Sequence, residues 1–154
     1  MKTSVHELGK DKRGLDWHIM VKDYPAVSDR WLDFLPFIPD RSSEIQVKEN
    51  SRPTEVAYVH PHPLSKTKAF LVDIRVRKEY EDRGLGSLLI KFVEKWEIER
   101  EVIEMLGDIS IKDQDHFDKL KHFYNKNGWT FELFDKLKID LGSTTVGRVH
   151  KYLR

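Results

Sequence analysis

The stretch KAFLVDIRVRKEYEDRGLGSLLIKFVEKWEIER, residues 68–100, constrains the fold more than any other part of the chain. KAFLVDIRV (68–76) is β-branched, aromatic and aliphatic, and apolar on both faces except at Asp73 and Arg75, as in a strand covered on both sides. Beyond the turn the apolar residues change to helical spacing. Leu85, Leu88, Leu89, Phe92, Val93 and Trp96 fall on one stripe, which predicts a helix over 85–100. A covered strand running into a helix is the first half of a crossover connection, so the sheet should hold a parallel pair.

Gly84 and Gly86 sit where the strand becomes the helix, and two readings are open. The glycines make a tight connection, or they let the backbone approach a ligand closely. Without β-carbons, N–H groups can converge on an oxygen-rich group, and the helix that begins there aims its positive dipole end the same way. Arg77, Lys78 and Arg83 surround the turn, so a diphosphate suits it. A dinucleotide fingerprint would need a third glycine at position 89, which is Leu89, and no Gly-Lys-Ser/Thr follows to make a Walker loop.

The rest of the chain reads as hairpins and one more crossover. DWHIMVKDY (16–24), EIQVK (44–48) and TEVAYVH (54–60) read as strands, the last two joined by a turn around 50–53. VSDRWLDFLPFI (27–38) puts Trp31, Leu32 and Leu35 at helical spacing, predicting a helix that Pro36 ends or kinks. HPHPLSKTK (60–68) reads as a loop. A strand is expected over 102–111 and a helix over 113–127, with Phe117, Leu120, Phe123 and Tyr124 inward and Gly128 ending it. WTFELF (129–134) and TVGRVHKYL (145–153) look like a closing pair of strands. The 154 residues suit one domain, with residues 1–15 polar and loosely held. The class expected is α/β (α+β) with a mixed sheet.

Composition removes several function classes. With 27 Lys plus Arg against 26 Asp plus Glu, the formal charge is +1, so no global basic excess points to nucleic acid. The absence of cysteine excludes disulfides, thiolate zinc sites and a cysteine nucleophile, so any group transfer is direct or uses another nucleophile. No segment approaches the roughly 20 apolar residues of a membrane span, and MKTSVHELGKDKRG lacks an apolar signal core. A cytoplasmic protein is therefore expected, with no membrane partner.

At this point VRKEYEDRGLGSLLIKFVE (76–94) resembles the acyl-CoA loop of the GNAT superfamily of N-acetyltransferases. In that pattern a strand ends in valine, and a short turn leads to Gln/Arg-x-x-Gly-x-Gly/Ala and a helix. Gly84, Leu85 and Gly86 fit the last three positions, Arg83 is common in the family, and Glu81 departs from the Gln or Arg of the first position. KLKHFYNKNGWTFELF (119–134) resembles a later motif of the same family, through Phe123, Tyr124, Lys126, Gly128 and Trp129.

The resemblance implies a GNAT-like acyl-CoA N-acyltransferase fold. It would have six or seven mostly antiparallel strands, a splayed central parallel pair and about four flanking helices. It further implies transfer of an acetyl group from acetyl-CoA to a small-molecule or peptide amine, without a metal. Ile74, Arg75 and Val76 would line the pantetheine arm, with the Ile74 or Val76 N–H polarising the thioester carbonyl. Arg83, Gly84, Leu85, Gly86 and Ser87 would hold the diphosphate. Tyr124 matches the tyrosine that protonates the leaving sulfur, although a helical aromatic also suits a core. Asp73 is the first candidate for the base, against a structural ion pair with Arg75, and Asp108 is the second, against a turn residue after Gly107.

Several other features stay open. His60 and His62 raise a metal reading but lack a third ligand, and fit a surface loop near the acceptor. His116 and His122 lie at an offset that keeps them off a common helix face, and read as surface residues. Trp31, Phe34, Phe37 and Ile38 either shape the acceptor pocket or belong to the core. A non-catalytic acyl-CoA sensor or interaction module is the alternative function. A homodimer through the TVGRVHKYLR edge stays open.

Overall fold

The computed structural model describes residues 2–24, 31–38, 57–135 and 144–153. The chain forms two compact units interleaved in sequence: Met1–His62 with Asp73–Val93, and Pro63–Val72 with Glu94–Arg154. The described residues contain eight strands and two α-helices.

In the first unit, β1 (Lys2–Lys10), β2 (Asp16–Tyr24), β3 (Trp31–Phe37) and β4 (Ala57–Pro63) follow one another as neighbours. β1 and β2 make an antiparallel hairpin from Lys2 opposite Asp23 to Lys10 opposite Asp16, with a bulge between Glu7 and Gly9. The polar segment expected to be loosely held is thus mostly strand. Its composition misleads because pairing satisfies the backbone whatever the side chains are, and an antiparallel strand can leave one face in water. Thr3, Val5 and Glu7 face outward, while Ser4, His6 and Leu8 are half-buried.

The helix expected over 27–38 is instead strand β3 over its described part. Phe34, Pro36 and Ile38 are buried and Leu35 and Phe37 half-buried, a period of two rather than 3.6. FLPFI is apolar at every position, so its periodicity is ambiguous, and cross-strand pairing decides. β3 pairs with β2 from His18 opposite Phe37 to Tyr24 opposite Trp31, and with β4 at Phe34 opposite Val59. β4 also carries the chain past His60 to Pro63, so both His60 and His62 lie in a strand rather than a loop. The predicted strand over 44–48, the turn over 50–53 and residues 27–30 lie outside the described residues.

β5 (Lys68–Val76) and α1 (Leu85–Glu99) follow the sequence expectation, and each runs from one unit into the other. In the first unit Leu85, Leu89, Ile90 and Val93 are buried, and Phe92 meets Phe34 edge-on at 5.9 Å between ring centres.

In the second unit the strand order is β5, β6 (Glu104–Ser110), β8 (Thr145–Tyr152), β7 (Thr130–Leu133). The start of β5 pairs with β6 in parallel, Lys68 with Glu104, Ala69 with Met105 and Phe70 with Leu106. β8 runs antiparallel to both β6 and β7. The helix expected over 113–127 begins later: Ile111–His116 is a 3-10 segment, and α2 covers Phe117–Lys126. Of its four expected inward residues only Tyr124 is buried; Phe117, Leu120 and Phe123 are half-buried. Gly128, at φ +83°, turns the chain out of α2 as expected.

Met105, Ile109, Trp129, Val146 and Val149 make the core of this unit, and the carboxylates of Glu94 and Glu97 are buried in the same unit. Glu94 accepts from the Trp129 indole at 3.1 Å and pairs with Lys151 at 2.6 Å, and Lys151 also donates to the Asn127 carbonyl at 2.8 Å. One acid therefore joins α1, β8 and the end of α2. Glu94→Ala leaves a buried indole N–H without its acceptor and strips Lys151 of its ion-pair partner, and should cost about 3 kcal/mol in urea unfolding.

Candidate functional site

The connection from β5 to α1 lies in the first unit. Val76 ends the strand, Arg77 leads into a 3-10 turn over Lys78–Tyr80, and the Tyr80 N–H donates to the Arg77 carbonyl at 2.8 Å. Two left-handed residues then redirect the chain: Asp82 at φ +62° and Gly84 at φ +85°. The Gly84 carbonyl accepts the first helical bond, from the Leu88 N–H at 3.1 Å. Gly84 is demanded by its backbone angle, since an L side chain is strained there. Gly86 is different. It lies inside the first turn of α1, where glycine is about 1 kcal/mol worse than alanine, and it is not among the positive-φ glycines. A tight connection accounts for Gly84, whereas the local backbone does not require a glycine at position 86.

The electrostatics of the turn suit an anion. The first turn of α1 carries no acidic residue, and the first N–H groups of any helix lack intrahelical acceptors. The Arg83 guanidinium lies over the Tyr80 ring at 4.8 Å, and its Nε is buried with no hydrogen-bond partner among the described residues. Such an orphaned donor beside a helix N-terminus fits a phosphate oxygen. Of the other residues predicted to hold a cofactor, Leu85 is buried, Ile74, Val76, Gly86 and Ser87 are half-buried, and Arg75 is exposed. Asp73 lies in β5 one residue before Ile74.

A support for this turn went unrecognised in the sequence. The Asp11 carboxylate accepts from the Arg13 N–H at 2.8 Å, the Leu15 N–H at 3.0 Å and the Trp17 indole at 3.0 Å. The Gly14 N–H donates to the Asp11 carbonyl at 3.0 Å, closing the β1–β2 turn. Trp17, 1% exposed, meets Tyr80 edge-on at 5.8 Å, and Tyr80 carries Arg83. The Lys12 N–H donates to the Arg83 carbonyl at 2.8 Å. The signal was KDKRG, with Asp first and Gly fourth in a turn.

Burial raises the Asp11 pKa, but the hydrogen bonds from Trp17, Leu15 and Arg13 and the Arg83 charge outweigh it, holding the carboxyl below its ordinary value.

The second unit holds Tyr124, in the last turn of α2 and 8% exposed. Its ring lies 5.2 Å from Phe123 and 5.7 Å from Trp129, and its carbonyl accepts from the Asn127 and Trp129 N–H groups at 3.1 and 2.9 Å. Because Glu94 holds the Trp129 indole, Tyr124 rests against a fixed wall. Asp108 is exposed within β6, opposite Arg148 of β8, and so is a strand residue rather than a turn residue. His116 and His122 are exposed, as expected of surface residues. Among the described residues no three His, Cys, Asp or Glu side chains gather as a metal group, and no helix is long and apolar enough to cross a membrane.

A model of the acetyltransferase (GNAT) family matches residues 13–129, so the chain belongs to that family. None of the curated proteins searched matches the sequence. Solved structures resemble it in fold. Ard1 from Thermoplasma volcanium is 13% identical with a TM-score of 0.56, the match covering 78% of this chain and 69% of that one. A GNAT-family acetyltransferase structure from Desulfovibrio desulfuricans is 13% identical with a TM-score of 0.58, covering 80% and 69%. The PaiA N-acetyltransferase from Thermoplasma acidophilum, solved in complex with coenzyme A, is 18% identical with a TM-score of 0.53, covering 79% and 60%. The mixed α/β class and the family expected from the two motifs are therefore found, with eight strands among the described residues where six or seven were expected.

The Asp11 shift has a defined consequence. A carboxyl with a depressed folded-state pKa stabilises the fold above its unfolded value and loses that contribution as pH falls through the folded value. Asp11→Asn should therefore lower the melting temperature at neutral pH, by the equivalent of about 1–2 kcal/mol. The gap from the parent should close as pH drops below the ordinary carboxylate value of 3.8 in thermal melts followed by circular dichroism.

Proposed function

We propose that this protein transfers an acetyl group from acetyl-CoA directly to an amine. The observation that carries the reading is the Gly84–Gly86 turn. It joins a family-matched strand to a helix, with a left-handed glycine, a helical glycine that local geometry does not require, and an Arg83 Nε with no hydrogen-bond partner among the described residues. The resemblance to the coenzyme A-bound PaiA structure supports the same ligand class. On this reading residues 1–154 work as one acetyltransferase domain in the cytoplasm.

The donor supplies an acyl carbon activated as a thioester. The N–H groups of Arg83, Gly84, Leu85, Gly86 and Ser87 hold its diphosphate, with the Arg83 guanidinium beside them. The β5 segment Ile74–Val76 takes the pantetheine arm, and the Ile74 or Val76 N–H polarises the carbonyl.

Asp73 receives the proton of the attacking amine as its nitrogen bonds to the carbonyl carbon. Tyr124 gives its proton to the sulfur as the carbon–sulfur bond breaks. The acceptor is a small-molecule or peptide amine, and no metal takes part.

Calorimetric titration tests the donor reading. CoA and acetyl-CoA should both bind saturably and ATP should not, and Gly84→Val should abolish binding while a thermal melt shows the protein still folded. No binding of CoA by folded wild-type protein sinks the proposal. Tyr124→Phe then separates the enzyme from a non-catalytic acyl-CoA sensor. With an amine that supports thiol release, the variant should lose about 10²- to 10⁴-fold in kcat while keeping its CoA affinity. Unchanged turnover would remove Tyr124 from the chemistry.

A further inference from the structure

The β1–β2 turn places a lysine on the glycine turn that the family pattern does not contain. A β-carbon built on Gly84 would lie 3.5 Å from Lys12 Cγ, 3.7 Å from Cε and 4.0 Å from Cδ, so the aliphatic stem runs across the open face of Gly84. The ammonium is one bond beyond Cε. The backbone beneath is fixed, because the Lys12 N–H donates to the Arg83 carbonyl at 2.8 Å and Asp11 closes the turn on Arg13 and Leu15. Lys12 itself is exposed, and among the described residues no carboxylate pairs with it. The nearby Asp11 carboxylate is already taken by the Trp17 indole and two backbone N–H groups.

We infer that Lys12 is a further cofactor-binding residue, a cation from the N-terminal hairpin that contacts the diphosphate of acyl-CoA over Gly84. This rests on the reading of the Gly84–Gly86 turn as the acyl-CoA site. It explains why a hairpin remote in sequence is tied to the turn by a main-chain bond and a packed stem. Where the family pattern has Gln or Arg, this chain has the exposed Glu81, and Lys12 supplies a polar contact from another element.

The test is calorimetric titration of wild type, Lys12→Met and Lys12→Arg with CoA, and with pantetheine, which lacks the diphosphate. Methionine keeps a stem to pack on Gly84 and removes the charge, so the fold is undisturbed and circular dichroism melts should coincide. The expected result is CoA binding weakened about fivefold in Lys12→Met, as for an exposed ion pair. Lys12→Arg should restore it, and pantetheine affinity should be the same in all three. If Lys12→Met binds CoA like wild type, or Lys12→Arg is as weak as Lys12→Met, the role of Lys12 is overturned while the acyl-CoA reading stands. If folded wild type binds no CoA, both fall together.

Discussion

An indole N–H held by a buried carboxylate is the interaction on which the candidate site depends, and among the described residues each unit has one. Trp17 donates to Asp11 at 3.0 Å and Trp129 donates to Glu94 at 3.1 Å. Burying a carboxylate is costly unless its lone pairs are met, and both acids are well supplied: Asp11 by two backbone N–H groups, Glu94 by Lys151. What each carboxylate holds is a large flat side chain in one orientation. In the first unit Trp17 then supports Tyr80, and Tyr80 supports the Arg83 guanidinium. In the second, Trp129 forms one wall for the Tyr124 ring. Arg83 thus stands three contacts from the Asp11 carboxylate, and Tyr124 two contacts from that of Glu94.

The backbone of the glycine turn shows why such support is needed. Asp82 and Gly84 both adopt left-handed angles, and only glycine does so without steric cost. Asp82 therefore holds a conformation that must be stabilised from outside. The bonds that do so are visible: the Arg83 carbonyl, between the two left-handed residues, accepts from Lys12, and the Gly84 carbonyl starts α1 by accepting from Leu88. The hairpin β1–β2 is part of the turn's structure, which gives a polar N-terminal strand a reason to be ordered.

Much of this was legible in the sequence where one period dominated. β5 and α1 follow directly from an apolar run and a helical stripe, and the closing strands from flanking turn residues. Reading failed where two periods fitted equally, as in FLPFI, or where composition was silent because the backbone alone did the pairing, as in β1. The glycine turn and the inward position of Tyr124 were readable because their motifs are local. Asp11, Lys12 and Glu94 were not, because their meaning comes from partners far along the chain: Arg83 for Lys12, Trp129 and Lys151 for Glu94. Long-range pairs leave no periodic trace, and only the turn pattern of KDKRG hinted at one of them.

Net charge is an equally poor guide to the field at the turn. The chain as a whole carries +1, which argues against nucleic acid but says nothing of a local excess. Around the turn stand Lys12, Arg77, Lys78 and Arg83, with Glu81 and Asp82 both exposed to water and the first turn of α1 free of acids. Water screens exposed carboxylates, whereas the buried Arg83 Nε and the helix dipole act at shorter range and lower dielectric. The local field is therefore more positive than a count of nearby charges suggests.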